Sequence, residues 1–150
     1  MIEKIDHKNA AVAEKIHAVF QVSYTVEAKL LKAVDFPPLK RSSIDFLLSD
    51  TEFYGFLNKK EVVGVIEIRR DSSRTHIQSL VVDPKYFRQG IAGKLITFVF
   101  SAFNSMTYTV GTGVENIPAI ALYKKFGFME IVQWNTDHGV RKVKLLKTNY

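Results

Sequence analysis

Apolar residues recur at helical spacing from Asn9 to about Leu31, at Val12, Ile16, Val19 and Phe20, and Asn9 is a suitable N-cap. The pattern weakens at Tyr24-Thr25. It predicts one helix that breaks there and a second that ends before Asp35. Phe36-Pro37-Pro38 stops any helix, because proline lacks an amide hydrogen and restrains the residue before it. A short helix from about Ser42 to Leu48 comes next, capped by Ser42 or Ser43. Polar and apolar positions then change to an extended pattern. Glu52 to Leu57 is aromatic-rich, Asn58 to Glu61 is a polar turn, and Val62 to Arg69 is β-branched. Asp71 to Arg74 makes another turn, and Thr75 to Val82 a third strand that ends at Asp83-Pro84.

Beyond Pro84 a helical stripe returns between Gly90 and about Phe103, through Ile91, Leu95, Phe98, Val99 and Ala102. Ser105 to Gly111 alternates as a strand. Pro118 to Phe126 reads as a short helix, with proline near its start and Gly127 just past its end. Phe128 to Trp134 and Val140 to Leu146 form a closing hairpin. The predicted order is β–α–α–βββ–α–β–α–ββ. This is a mixed α/β domain over residues 1–150: a mostly antiparallel sheet of about six to seven strands, flanking helices, and one crossover after Pro84.

Composition narrows the chemistry. The 150 residues include no cysteine, which excludes disulfides, thiolate metal sites and a cysteine nucleophile. The histidines at 7, 17, 76 and 138 lack metal-ligand spacing, so no metal is expected. No apolar run approaches the roughly 20 residues that span a bilayer, and no signal-peptide core opens the chain. The expected address is the cytoplasm, with no membrane partner. The net charge of +6 favours an anionic partner, but the basic residues come in pairs such as Lys59-Lys60 and Arg141-Lys142 rather than in one stripe. No nucleic-acid motif accompanies them.

Ser79 to Lys94 carries the most chemistry. A strand runs into a proline turn, and a small-residue loop then opens a helix, whose N-terminus presents unpaired amides and a positive dipole end to phosphate. Gly90 and Ala92 leave room for a diphosphate to approach the backbone. Glycine is also what a tight turn requires for its dihedrals, and both readings stand.

Phe87-Arg88-Gln89-Gly90-Ile91-Ala92 resembles the Gln/Arg-x-x-Gly-x-Gly/Ala segment of the GNAT superfamily of N-acetyltransferases. Asn116 to Phe128 is similar to that family's Asn-x-x-Ala-x-x-Leu-Tyr-x-x-x-Gly-Phe signature. Phe87 departs from the usual Gln or Arg, which removes one polar side chain from a cradle made mainly of backbone. The resemblance implies acetyl transfer from acetyl-CoA to a primary amine of a small molecule or peptide, by direct attack in a ternary complex. Leu80, Val81 and Val82 would offer backbone groups to pantetheine, in an opening where the strand bulges and splays from its parallel neighbour. The amides of Arg88, Gln89, Gly90, Ile91, Ala92, Gly93 and Lys94 would hold the diphosphate. Arg88, Lys94 or Lys124 would reach the outlying phosphate. Asn116 would contact the pantetheine arm, Tyr123 would act as general acid, and Leu80 or Val82 would supply the oxyanion amide.

A lysine-like amine with pKa about 10.4 is roughly one part in 2,500 neutral at pH 7, a cost near 4.6 kcal/mol. A base is therefore useful for such an acceptor. His76 and Glu67 are the two candidates. Strand alternation places His76 on one face with 78, 80 and 82 if no bulge intervenes, and a bulge near residues 80 to 82 would shift that face only near the strand's end. Tyr24, Phe36 and Tyr54 read as core residues or as an aromatic pocket for the acceptor, and both readings stand. A homodimer is compatible with the sequence. So is a non-catalytic acyl-CoA-binding or sensor domain, which would bind the donor without turnover.

Overall fold

The computed structural model describes residues 1–149. In chain order it contains β1 (Ile2–Lys4), α1 (Ala10–Leu30), α2 (Ser43–Leu48), β2 (Glu52–Asn58), β3 (Glu61–Arg70), β4 (Arg74–Val82), α3 (Ile91–Ala102), β5 (Thr107–Gly113), α4 (Ile117–Lys125), β6 (Met129–Asn135) and β7 (Arg141–Thr148). The seven strands form one sheet in the order β1-β2-β3-β4-β5-β7-β6. β4 and β5 are parallel and every other neighbouring pair is antiparallel. The α3 crossover joins that one parallel pair, as a parallel connection requires.

Helix α1 differs from the expectation, because it runs unbroken through Tyr24 and Thr25. The Thr25 hydroxyl donates to the Gln21 carbonyl at 2.6 Å, so the β-branched residue bonds back onto the helix instead of interrupting it. Asn9 caps the start, and its side chain accepts from the Ala11 and Val12 amides. Helix α2 begins with a capping box in which Ser42 and Asp45 satisfy each other's backbone amides. The strand and helix ends elsewhere move by one or two residues. β5 moves most, starting at Thr107, with Ser105 instead tied to Thr75 at 2.6 Å.

The sheet separates two cores. On one face α1 and α2 bury Ile16, Phe20 and Phe46 against Phe53, Val65 and Val81. On the other, α3 and α4 bury Leu95, Ile96, Val99 and Tyr123 against Ile66, Ile68, Ile77 and Val143. Truncating a fully buried phenylalanine such as Phe46 costs about 3–5 kcal/mol. Close approach fixes the helices in place: a Cβ on Gly64 would lie 2.9 Å from Ile91 Cγ2, and one on Gly113 2.5 Å from Leu31 Cδ2.

Strand β4 is irregular in two places. Glu67 is opposite Ser79 and Ile68 is opposite Ile77, so Gln78 is an extra residue, a β-bulge. Ile77 and Leu80 consequently face the same α3-side core although they are three positions apart. Pairing of β4 with β5 then ends at Ile77–Val110. Beyond that point β5 continues against β7 alone, and the two parallel strands part.

Candidate active site

The parting of β4 and β5 opens a cavity of about 740 Å³. Ile77 to Leu80 and Val82 wall it on the β4 side, Val110 to Gly113 on the β5 side, and the turn from Tyr86 to Gly93 closes one end. At the other end stand Tyr24 and Glu27 of α1, Leu31 just past its end, Phe36 to Pro38, Arg41, and His138 and Val140 beside β7. The gap lets side chains from opposite faces of the sheet meet: Tyr24 and Glu27 from the α1 side, Asn116 and Tyr123 from α4.

The turn before α3 has the form of an anion cradle. Arg88 and Gly90 are both left-handed, at φ 63° and 75°, and Gly90 is the N-cap of a twelve-residue helix. Left-handed residues in such a turn curl successive amides into a concavity, which the helix dipole reinforces. No atom lies within 4 Å of where a Gly90 Cβ would project, so the space beside the turn is open. Gly90 therefore meets both demands, its own dihedral and clearance for a ligand. Gly93 serves packing, since a Cβ there would lie 3.0 Å from Phe126 Cζ.

Of the expected donor-binding residues, Leu80, Val82, Arg88, Gly90, Ile91, Ala92, Gly93, Asn116 and Tyr123 line the cavity. Val81, Gln89 and Lys94 do not. The Val81 side chain is buried in the α1-side core, Gln89 is exposed, and the Lys94 ammonium lies 5.7 Å from the centroid of the Phe56 ring. Lys124 is paired with Glu130 at 2.8 Å. Phe87, at the departure from the family pattern, also lines the cavity.

Tyr123 is buried, and burial pushes its phenol well above the ordinary tyrosine range, helped by neighbouring Tyr24 and Glu27. It keeps its proton at neutral pH and can donate it. Asn116 caps α4, its Oδ1 accepting from the Ala119 amide at 3.3 Å, while its Nδ2 donates to Glu27 Oε1 at 2.8 Å.

Neither expected base lines the cavity. Glu67 is 1% exposed and its oxygens are saturated: Arg41 Nη1 and Nη2 donate at 2.7 and 3.1 Å, Thr51 Oγ1 at 2.6 Å, and Ser79 Oγ at 2.9 Å. His76 lies on the α1 side of the sheet, where its Nδ1 is 2.8 Å from Thr109 Oγ1. The bulge falls at Gln78 rather than at residues 80 to 82, so His76 shares its face with Ser79 and Val81, not with Leu80 and Val82. Burial first, then the charges of Lys144, Arg74, Arg69 and Lys142, hold its imidazole below the usual histidine range. The three aromatics divide between the two readings. Tyr24 and Phe36 meet edge to face at 5.8 Å in the cavity wall, whereas Tyr54 packs against Phe98 and Phe103 on the opposite face of the sheet.

Sequence reasoning missed Glu27 and His138. Burial raises the Glu27 carboxyl above the usual range, against the opposing pull of Lys142 and the Asn116 hydrogen bond. His138 Nδ1 is buried without a hydrogen-bond partner among the described residues. A helix continued through Thr25 would have placed Glu27 three residues after Tyr24 on one face. Nothing in the sequence signals His138. Among the described residues no cluster of three metal-ligating side chains occurs.

The sheet is thus splayed at its parallel pair, with a glycine turn at one end of the opening. The family model described as the Acetyltransferase (GNAT) family matches residues 14–128, and the chain belongs to that family. It is 32% identical over 131 residues to UPF0157 protein YqkA of Bacillus subtilis (strain 168), covering 87% of this chain and 38% of that protein. The chain thus spans about two-fifths of that relative's length. The fold superposes on the ribosomal-protein-S18-alanine N-acetyltransferase from Escherichia coli with TM-score 0.78 at 17% identity, covering 99% of this chain and 92% of that one. It also superposes on PaiA N-acetyltransferase from Thermoplasma acidophilum in complex with coenzyme A, with TM-score 0.75 at 16% identity and 99% of both chains covered.

Proposed function

We propose that this chain moves the acetyl group of acetyl-CoA to a primary amine by direct attack within a ternary complex. The observation that carries the reading is the gap beyond Ile77–Val110, bordered at one end by the Arg88–Gly93 turn and walled by Tyr123. Gln78 to Val82 have no strand partner on the β5 side, which leaves backbone groups free to pair with an extended amide-containing arm. The turn binds the diphosphate through its amides, and the thioester then lies along β4. A free amide of Leu80 or Val82 stabilises the oxyanion. Tyr123 protonates the departing sulfur, and the acceptor enters from the end bounded by Tyr24, Phe36 and Val140. Holding donor and acceptor together in one cavity supplies proximity as well as polarity.

Calorimetry with acetyl-CoA, followed by release of free CoA thiol across a panel of primary amines, tests the reading. Binding together with amine-dependent release is the expected result. Binding without release on any amine would leave an acyl-CoA sensor, and absence of binding would end both readings.

A further inference from the structure

Resting on that reading, we propose that Glu27 is the catalytic residue on the acceptor side: it seats the ammonium of a monocationic primary amine and takes its first proton. Glu27 belongs to the cavity wall, near the C-terminal end of the unbroken α1. One carboxylate oxygen, Oε1, accepts from Asn116 Nδ2 at 2.8 Å, and Oε2 receives no hydrogen bond from the described residues. One oxygen is therefore fixed and the other is free for a ligand. Glu67 has the reverse arrangement, with both oxygens occupied and a guanidinium already in place.

Asn116 caps the start of α4 and Tyr123 lies within that helix, and both border the cavity. An amine held at Oε2 then faces the same opening as the Tyr123 hydroxyl. The ammonium passes one proton to Glu27, and its lone pair forms the C–N bond at the thioester carbonyl carbon. The C–S bond breaks, and the sulfur takes the Tyr123 hydroxyl proton. The phenolate recovers a proton from the new amide nitrogen. Glu27 releases its own proton to solvent, so the cycle yields amide, thiol and one proton.

The charge around the seat selects the acceptor. Lys142 acts on Glu27 from β7 without an ion pair among the described residues, while Arg41, already paired with Glu67, and His138 of the β6–β7 turn line the same cavity. Tyr24 and Tyr123 are the other titratable neighbours. One carboxylate with the Lys142 ammonium beside it accepts one ammonium and disfavours a second. Leu31, Phe36 and Val140 offer an apolar wall to the rest of the molecule. The acceptor class is an apolar-bodied monoamine rather than a polyamine.

The experiment compares wild type with Glu27→Gln, a near-isosteric change that keeps an oxygen for Asn116, using 2-phenylethylamine and spermidine as probes. Acetyl-CoA affinity should stay within about twofold. kcat/KM for 2-phenylethylamine should fall roughly 10²–10⁴-fold, and the carboxylate limb of its pH profile should vanish. Binding of 2-phenylethylammonium to the CoA complex, followed by calorimetry, should also weaken about tenfold or more. Wild type should favour 2-phenylethylamine over spermidine, and Lys142→Gln should narrow that preference. Glu27→Asp, which keeps the charge, should recover part of the activity and serves if the glutamine variant fails to fold. An unchanged rate and pH profile in Glu27→Gln overturns the proposal. So does amine binding that is absent from wild type or equal in both proteins. A wild type that binds the amine through Glu27 yet releases no CoA would refute the transferase reading alone.

Discussion

Arg41 grips Glu67 at two points, Nη1 to Oε1 at 2.7 Å and Nη2 to Oε2 at 3.1 Å, beneath the wall of the cavity. The guanidinium is 4.2 Å from the centroid of the Phe46 ring, so it ties the loop before α2 to both β3 and the aromatic core. The pair is buried on the Glu67 side and partly open on the Arg41 side, at 1% and 26% exposure. Removing one partner of such a pair strands the other charge, at a cost of about 3–5 kcal/mol. Arg41→Ala should therefore lower unfolding free energy by that amount in urea titrations. Arg41→Ala combined with Glu67→Ala should cost clearly less than the sum of the two single changes. Additive losses would mean that the two side chains are not coupled.

Gly90 and Gly139 allow a matched comparison. Both are left-handed, at φ 75° and 86°, and a Cβ at either would meet no atom within 4 Å. Alanine at either position should cost a similar amount of stability, about 1–2 kcal/mol from the left-handed backbone. Only position 90 adjoins the proposed diphosphate. Gly90→Glu should abolish acetyl-CoA binding in calorimetry, while Gly139→Glu should leave it within a few-fold of wild type. Retained binding in Gly90→Glu would place the diphosphate elsewhere.

Tyr123 presents a hydroxyl whose proton burial holds in place. Tyr123→Phe preserves the ring contact with Phe128, whose centroid is 5.6 Å away, and removes only the oxygen. kcat should fall by roughly 10²-fold or more with acetyl-CoA affinity nearly unchanged, the pattern of a group used in the transition state. Wild-type turnover in this variant would reduce Tyr123 to a packing role.

The architecture was legible because its signals are local. Proline after Phe36, the capping serine at 42, the polar turns at 58–61 and 71–74, and Gly127 each fix a boundary through a neighbour's dihedrals or hydrogen bonds. The glycine turn and Tyr123 were legible for the same reason, being short patterns on one element. The far end of the cavity was legible only at Tyr24 and Phe36, because it is assembled from α1, the loop before α2, and the β6–β7 turn. Thr25 reads as a helix breaker until its hydroxyl is seen bonding to Gln21, and the assumed break hid Glu27. The bulge at Gln78 is a matter of register between two strands, invisible along either one, and it reverses the face on which His76 emerges.

His76 supplies a prediction that separates stability from catalysis. Its folded pKa lies below the usual 6.5 because the ring is half-buried and the charges of Lys144, Arg74, Arg69 and Lys142 act on it. As pH falls below the unfolded-state value, the unfolded chain binds a proton that the folded chain resists, so the folded state loses stability. The loss starts near pH 6.5 and continues down to the depressed folded value, below which it is constant. His76→Gln removes the titrating group and should flatten that portion of the stability–pH curve, as measured by urea titration at closely spaced pH values. Loss of the Thr109 contact should cost about 1 kcal/mol above pH 7. Turnover behaves differently. His76 does not line the cavity and points to the face opposite Leu80 and Val82, so the acidic limb of the rate profile should persist in His76→Gln. A limb that disappears with His76, accompanied by a 10²-fold or larger fall in rate, would show that a water chain links the imidazole to the acceptor and would return the role of base to His76.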